Sequence, residues 1–194
     1  MAKTLYFMRH GQTLFNVLHL KQGWSDSPLT TLGKNQAIIA GRYFKEHDIV
    51  FDHAYSSTSE RASDTLELVS KQAYQRVRGL KEWNFGRLEG SNDVVDPKPP
   101  YGDFFVQYGG EDEMEFRKRL MDTVTNIMDQ EDHQQVLMVS HGAACAQLYR
   151  ANEAYAKTKI TYPIPNCAIL RFTYEDGKLM FEEMISHDFR ELDV

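Results

Sequence analysis

A short apolar run that ends in charged and small residues constrains the fold of this chain most strongly. Residues 5–8 are uninterrupted hydrophobic sequence, and Arg9, His10 and Gly11 follow them at once. A continuous apolar run of this kind is typical of a strand buried on both faces of an α/β sheet. Such sheets bind their ligands beyond the carboxyl ends of the strands. The stretch therefore predicts a functional site around His10.

A second strand is predicted to end in the same way. Residues 135–139 form another buried strand, which precedes His141 and Gly142. If the two strands are parallel neighbours, His10 and His141 emerge at the same edge of the sheet. The helix expected to begin at Ala143 would direct the positive end of its dipole to that edge, which favours a bound anion.

The rest of the chain alternates helices with strands. Helical spacing of apolar residues predicts the helices, and short apolar stretches predict the strands. We predict helices over 30–47, 58–73, 112–131 and 143–152, and strands over 51–55, 135–139, 166–174 and 178–186. This pattern predicts one α/β domain over 1–194, a three-layer sandwich with a mostly parallel central sheet and helices on both faces.

One stretch of the chain has no hydrophobic period. Glycines, prolines and aromatic residues crowd 83–110, and long loops of this type are usually lids or binding loops. We expect a loop-rich insertion at 91–110 over the active site. Its aromatic side chains fit either a packed lid or a satellite hydrophobic cluster, and the cluster is the interpretation we favour. These side chains are Tyr101, Phe104, Phe105 and Tyr108.

Composition argues against several classes of partner. The net charge of −6 makes nucleic acid and anionic membrane surfaces unexpected partners. Cys145 and Cys167 lie in apolar contexts without a CxxC spacing, which favours reduced thiols. The sequence shows no signal-peptide pattern and no run of membrane-spanning length. We therefore expect a cytoplasmic protein, either a monomer or a homodimer.

Two arginines also follow strands of the predicted sheet. Arg9 and Arg61 would place fixed positive charges beside His10 and His141. This combination suits a phosphoryl group, whose charge is spread over several oxygens. Two histidines could instead bind a metal, but the arginines would repel a cation, and no HxH, HExxH or cysteine cluster accompanies them. We expect no metal and no cofactor.

These residues and their spacing resemble the histidine phosphatase superfamily, in the branch that includes phosphoglycerate mutases. The matching stretches are collinear and cover most of the chain outside 93–110. They are 9–13 with Asn16, 22–30 with Gly33, 56–57 with Arg61, 80–82, 86–90, 139–142 and 165–167.

The resemblance implies the chemical roles at the site. His10 would be the nucleophile that carries the phosphoryl group as phosphohistidine, with its other ring nitrogen held by an acceptor such as a backbone carbonyl. Glu82 would protonate the leaving oxygen, with Glu89 as the alternative acid. The phosphoryl oxygens would be bound by Arg9, Arg61 and His141. His141 would bind them best when it is protonated, and nearby anions should raise its pKa. The expected phosphate and substrate contacts are Asn16, Gln22, Gly23, Gly142 and Ala143.

The resemblance leaves two reactions open. A mutase returns the phosphoryl group to another hydroxyl of its substrate, whereas a phosphatase admits water. The family's mutases carry a basic insertion after the Glu82 segment and a tail over the site; here that insertion is short, aromatic and acidic, and only 189–194 form a tail. We therefore predict a hydrolase, a phosphatase of small phosphorylated metabolites. The alternatives are a phosphoglycerate mutase and a non-catalytic phospho-ligand binding protein, and the complete set of reactive side chains argues against the latter.

Overall fold

Buried apolar strands form the centre of the molecule, which a computed structural model describes for residues 2–92 and 96–189. The strands are β1 (Lys3–Arg9), β2 (His53–Ser57), β3 (Gln75–Val77), β4 (Gln135–Ser140), β5 (Ile169–Glu175) and β6 (Lys178–Ile185). The helices are α1 (Leu14–Val17), α2 (Thr31–Glu46), α3 (Glu60–Val69), α4 (Glu113–Met128) and α5 (Gly142–Asn152). Across these described ranges, no helix is both long enough and apolar enough to cross a bilayer.

The strands form one six-stranded sheet in the order β3-β2-β4-β1-β5-β6. The pairs β2–β3, β2–β4 and β1–β4 are parallel, whereas β5 and β6 run antiparallel at one edge. The predicted mostly parallel sheet is thus confirmed. So is the predicted pairing of the two strands that end in histidine, because Arg9 of β1 lies opposite Ser140 of β4.

Side chains of β1 alternate between two hydrophobic layers, as the pleat of a strand requires. Leu5 and Phe7 pack into the layer formed with α4 and α5, and Tyr6 and Met8 pack into the layer formed with α2 and α3. All four side chains are buried. The predicted helices on both faces of the sheet are therefore confirmed.

The bounds of several elements differ from the sequence prediction for physical reasons. The edge strand β3 was not predicted, because two of its three side chains are exposed and leave no hydrophobic pattern. The helix predicted over 58–73 ends at Val69, where Ser70 adopts an extended conformation. The short helix α1 was not predicted, because four residues are too few to show a helical period, and none of them is buried.

Tyr101, Phe104 and Phe105 of the predicted insertion pack into the layer formed with α4 and α5. Phe105 is fully buried, and its ring meets the edges or faces of Trp83, Phe85 and Tyr101 at centroid distances of 4.9–5.6 Å. The aromatic residues therefore form a hydrophobic cluster that is continuous with the main core. Residues 93–95 of the insertion and 190–194 of the predicted tail lie outside the described residues.

Candidate active site

The parallel pair β1–β4 brings the two predicted histidines together. His10 and His141 directly follow residues that lie opposite each other in the sheet, and their ring centroids are 5.3 Å apart. The backbone N–H of His10 donates to the carbonyl of Ser140 at 3.0 Å. This contact continues the strand pairing to the point where both side chains leave the sheet.

The imidazole of His10 is held in one tautomer by its neighbours. Its Nδ1 lies 2.7 Å from the carbonyl oxygen of Gly11, which can only accept, so Nδ1 carries the proton. The guanidinium Nε–H of Arg61 donates to His10 Nε2 at 3.2 Å, so this nitrogen presents its lone pair. Burial, and then the charges of Arg61 and Arg9, hold the pKa of His10 well below its ordinary value. The ring is therefore neutral at physiological pH.

His141 is also buried, and its neighbours leave one ring nitrogen without a partner. His141 Nε2 lies 2.8 Å from Ser57 Oγ, and that oxygen accepts the backbone N–H of Ser59. The Ser57 hydroxyl can therefore donate to Nε2, and in that tautomer the ring proton lies on Nδ1. Within the described ranges, Nδ1 is buried and has no hydrogen-bond partner.

The groups around His141 act against its protonation. Burial, followed by the charges of Arg61 and His10, lowers the pKa of His141 well below its ordinary value. The expected rise of this pKa depends on an anion beside the ring, and the charged groups that act on His141 here all lower the pKa. A neutral ring that carries its proton on Nδ1 can still donate one hydrogen bond, so the group remains suited to an anionic oxygen.

Arg61 is fully buried, and all of its N–H groups are engaged. One donates to His10, as described above. The terminal N–H groups bind the carbonyls of Gln22, Gly23 and Ser25 and the carboxylate of Asp26 at 2.9–3.1 Å. Arg61 therefore clamps the loop 22–26 beside the nucleophile candidate, a role that its place after β2 did not reveal.

Arg9 has a different set of partners. Its Nη1 donates to the carbonyl of Ile164 at 2.5 Å, and its Nε is buried without a hydrogen-bond partner in the described part of the chain. A Cβ atom on Gly142 would lie 3.3 Å from this Nε. Glycine at this position therefore allows the guanidinium to approach the first turn of α5.

The carboxylate of Glu82 lies at the amino end of α5. Its Oε2 accepts the backbone N–H of Ala143 at 2.8 Å, and its Oε1 accepts those of Ala144 and Trp83 at 3.0 Å. The prediction that the Ala143 N–H faces the phosphate therefore differs from the structure, because Glu82 takes this donor. Burial raises the pKa of Glu82, although the N–H groups of Ala143 and Trp83 and the charge of Arg61 act in the opposite direction.

Asn16 and Gln22 both line the cavity at His10. They differ in whether the side-chain amide has a group left to bind a ligand. The side-chain oxygen of Asn16 accepts N–H groups of Thr13 and Asn166, so its amide NH₂ is the part that can meet a phosphate. Gln22 has both ends engaged, since Oε1 accepts from Thr13 Oγ1 and Nε2 donates to Ser27 Oγ. Gln22 therefore shapes the loop.

Gly23 and Glu89 also fix the conformation of the loop 22–26. A Cβ atom on Gly23 would lie 2.0 Å from the carbonyl oxygen of Trp83, so this site requires glycine for packing. The carboxylate of Glu89 accepts the N–H of Gly23 at 3.0 Å. It also accepts from Trp24 N, from Ser25 N and Oγ, and from Phe85 N. These contacts support a structural role for Glu89, the alternative acid.

A cavity of about 370 Å³ opens next to these groups. Arg9, His10, Asn16 and Glu82 form its polar end. Apolar and aromatic side chains form most of the remaining wall: Leu20, Trp83, Phe85, Tyr101, Phe105, Ala146, Tyr162, Pro163 and Ile164. The contribution of residues 162–164 to the cavity was not predicted, because the loop between α5 and β5 shows neither a hydrophobic period nor a motif.

Two further charged residues line this cavity, and they neutralise each other. Lys21 Nζ lies 2.9 Å from Asp96 Oδ1, and only 6% and 11% of the two side chains are exposed. Lys21 Nζ also donates to the carbonyl of Asn92. Beyond its polar end, the cavity therefore offers a paired charge and an apolar surface.

The chain is thus an α/β sandwich with two histidines and two arginines together at one edge of its sheet, next to a cavity. The model of the "Histidine phosphatase superfamily (branch 1)" matches residues 5–186. The chain therefore belongs to this superfamily of phosphatases and mutases.

Curated relatives include bacterial "2,3-bisphosphoglycerate-dependent phosphoglycerate mutase" proteins. The one from Bartonella henselae is 39% identical over 98 residues, which are 47% of this chain and 48% of the relative. The one from Nitrobacter winogradskyi is 41% identical over 96 residues, 46% of each chain. The chain thus matches about half the length of these relatives.

Solved structures cover nearly the whole chain. A phosphoglycerate mutase from Bacillus anthracis superposes with a TM-score of 0.81 at 29% identity, over 94% of this chain and 92% of its own. The protein YhfR from Bacillus stearothermophilus gives 0.77 at 27% identity, over 91% and 94%. An alpha-ribazole phosphatase from Shigella flexneri gives 0.75 at 20% identity, over 94% and 96%, and this last likeness concerns the fold alone.

Proposed function

We propose that this protein is a phosphatase that hydrolyses small phosphorylated metabolites through a phosphohistidine intermediate. The observation that carries the proposal is the state of His10. Its Nδ1–H is fixed on the Gly11 carbonyl, its pKa is lowered, its Nε2 accepts the Nε–H of Arg61, and the residue lines the cavity. A nucleophile of this kind must be neutral and pre-oriented.

In the first step, the Nε2 lone pair of His10 forms a bond to phosphorus. The bond between phosphorus and the ester oxygen breaks, and its electron pair leaves with that oxygen, which takes a proton from Glu82. The raised pKa of Glu82 favours the protonated acid that this step needs. Arg9 and the Nδ1–H of His141 supply donors for the other phosphoryl oxygens.

In the second step, water replaces the histidine. A water oxygen forms a bond to phosphorus and loses a proton to the Glu82 carboxylate, while the N–P bond breaks and returns its electron pair to Nε2. The products are inorganic phosphate and the original enzyme. The same carboxyl group thus acts as acid and then as base.

The cavity wall favours hydrolysis of an ester with an uncharged, apolar alcohol. A phosphoglycerate carries a carboxylate beyond its phosphate, and binding it requires a free cation. In the described part of the wall, the cation beyond the phosphate end is Lys21, whose charge is neutralised by Asp96. An aromatic or aliphatic group would instead bury apolar surface against half-buried residues of the wall such as Phe85 and Tyr101.

The mutase reaction is the second candidate, and the names of the curated relatives favour it. Two assays on the same preparation separate the candidates. Phosphate release is measured with 1-naphthyl phosphate and p-nitrophenyl phosphate, and conversion of 3-phosphoglycerate to 2-phosphoglycerate is measured in the presence of 2,3-bisphosphoglycerate. We expect rapid phosphate release and slow conversion, with both abolished in His10→Asn. Fast conversion with negligible release would refute the proposed function.

A further inference from the structure

A second cluster of reactive side chains lies at the edge of the sheet opposite to the active site. His53 is the first residue of β2, and His133 and Asp132 lie in the turn just before β4. Because β2 and β4 are parallel neighbours, their amino ends meet at one edge, whereas the active site lies at their carboxyl ends. The cluster is therefore independent of the catalytic machinery.

The three side chains already direct their donor atoms at one another. Asp132 Oδ2 lies 3.0 Å from His53 Nε2, and Asp132 Oδ1 lies 2.7 Å from His133 Nδ1. The two imidazole rings are stacked at 3.8 Å with an angle of 7° between their planes. One nitrogen of each ring and both carboxylate oxygens thus gather in a small volume, and all donor atoms lie within 4.8 Å of one another.

We propose that His53, Asp132 and His133 form a binding site for a divalent transition-metal ion of the zinc type. Two imidazoles and a carboxylate are the donor set that Zn²⁺, Co²⁺ and Ni²⁺ prefer, whereas Mg²⁺ and Ca²⁺ require mostly oxygen ligands. Three protein ligands leave a fourth position for water.

The spacing of the donors suits an ion of this size. Bonds of about 2.0–2.2 Å in a tetrahedral zinc site separate neighbouring donor atoms by about 3.3–3.5 Å. The observed N···O contacts of 3.0 and 2.7 Å are slightly shorter. The two ring planes are nearly parallel, at 7°, so the His53 ring must turn before both ligating nitrogens point at one ion. The Asp132 side chain is 72% exposed and that of His53 is 32% exposed, so both can move and solvent ions can reach them.

Neighbouring residues hold the least mobile ligand in position. Tyr55 Oη lies 2.6 Å from His133 Nε2, the nitrogen that faces away from Asp132. When Nδ1 binds a metal, the ring proton moves to Nε2 and donates to Tyr55, the outer contact typical of metal-bound histidine. Asp52 anchors the same turn, because its Oδ2 accepts the N–H groups of Gln134 and Gln135, and it adds a second carboxylate nearby.

The test is metal binding to the tag-free, full-length protein, measured by calorimetry with Zn²⁺ and by visible absorption with Co²⁺. We expect one ion per chain and no comparable uptake of Mg²⁺ or Ca²⁺. Absence of a stoichiometric Zn²⁺ site in the wild-type protein would overturn the proposal. Phosphatase activity is a separate readout, so failure here leaves the proposed function intact.

Matched variants locate the ion. Tyr55→Phe, which removes only an outer contact, should weaken Zn²⁺ binding by about 10–100-fold. His53→Ala and Asp132→Asn each remove a direct ligand, so each should weaken Zn²⁺ binding by more than Tyr55→Phe does. His47→Ala is the control, because this exposed histidine at the end of α2 lies in neither site, and its Zn²⁺ affinity should equal that of the wild type. Binding that survives both His53→Ala and Asp132→Asn but disappears in His10→Ala would place the ion in the active site and refute the assignment.

Discussion

Replacement of Glu82 by glutamine should slow the enzyme according to the basicity of the leaving oxygen. An alkyl phosphate leaves as a strongly basic alkoxide that needs a proton in the transition state, whereas p-nitrophenolate is a weak base that needs little help. Glutamine preserves the size and polarity of the side chain but carries no transferable proton. We expect the phosphorylation rate to fall about 10²–10⁴-fold for an alkyl phosphate and far less for p-nitrophenyl phosphate.

The contacts of Glu82 also determine how much Glu82→Gln lowers the free energy of unfolding. Its two oxygens accept three backbone N–H groups, from Trp83, Ala143 and Ala144. Glutamine has one side-chain oxygen, so its NH₂ group must face at least one of these donors. A buried donor without an acceptor costs about 1–3 kcal/mol, and denaturant unfolding of the variant should show a loss of this size.

Single-turnover measurement of phosphorylation is the appropriate assay, because slow hydrolysis of the phosphohistidine would hide the difference in steady state. Glu89→Gln is the matched control. Glu89 is also a multiply bonded carboxylate, holding the backbone of Gly23 and Trp24, so its substitution should reduce stability. Its effect on phosphorylation should be the same for both substrates, since Glu89 donates no proton to the leaving oxygen.

Two outcomes would refute this reasoning. Equal losses on the alkyl and aryl phosphates in Glu82→Gln would show that Glu82 only shapes the pocket. A loss confined to the alkyl phosphate in Glu89→Gln would assign the proton to Glu89 instead.

Three further predictions follow from the site. Arg61→Ala should lower kcat and kcat/KM together, and a change in KM alone would contradict this. It should also reduce the free energy of unfolding, by about 1–3 kcal/mol for a buried carbonyl left without its donor, such as that of Gln22 or Gly23. Asp96→Asn should free the charge of Lys21 and lower KM for carboxylate-bearing phosphates but not for p-nitrophenyl phosphate, in a comparison of steady-state constants. The pKa of His10 is lowered, so its neutral form persists as pH falls through about 6.5. The acidic limb of the pH profile of kcat/KM should therefore lie below that value. An acidic limb above it would contradict the burial argument.

The centre of the fold could be predicted because burial leaves a pattern in the sequence. The strands β1 and β4 are buried on both faces, so both appear as continuous apolar runs, and their parallel pairing puts His10 beside His141. The edge strand β3 could not be predicted, since its pairing with β2 depends on backbone hydrogen bonds and its side chains are mostly solvent-exposed.

The composition of the site was easier to predict than its contacts. The resemblance identified Glu82 as a candidate acid, but no sequence pattern shows that its carboxylate accepts the first N–H groups of α5, 61 positions further along the chain. Likewise, the sequence placed Arg61 near the end of β2 but did not reveal that its donors clamp the loop 22–26. These contacts depend on how distant segments pack, which local propensity does not determine.

The two arginines beside His10 differ in whether their N–H groups are engaged. Arg61 is paired with Asp26, and its Nε–H donates to His10 Nε2. Arg9 lines the cavity and has a buried Nε without a partner among the described residues. In the proposed mechanism Arg9 therefore offers a donor to the phosphate, whereas attack by the Nε2 lone pair requires the hydrogen bond from Arg61 to break.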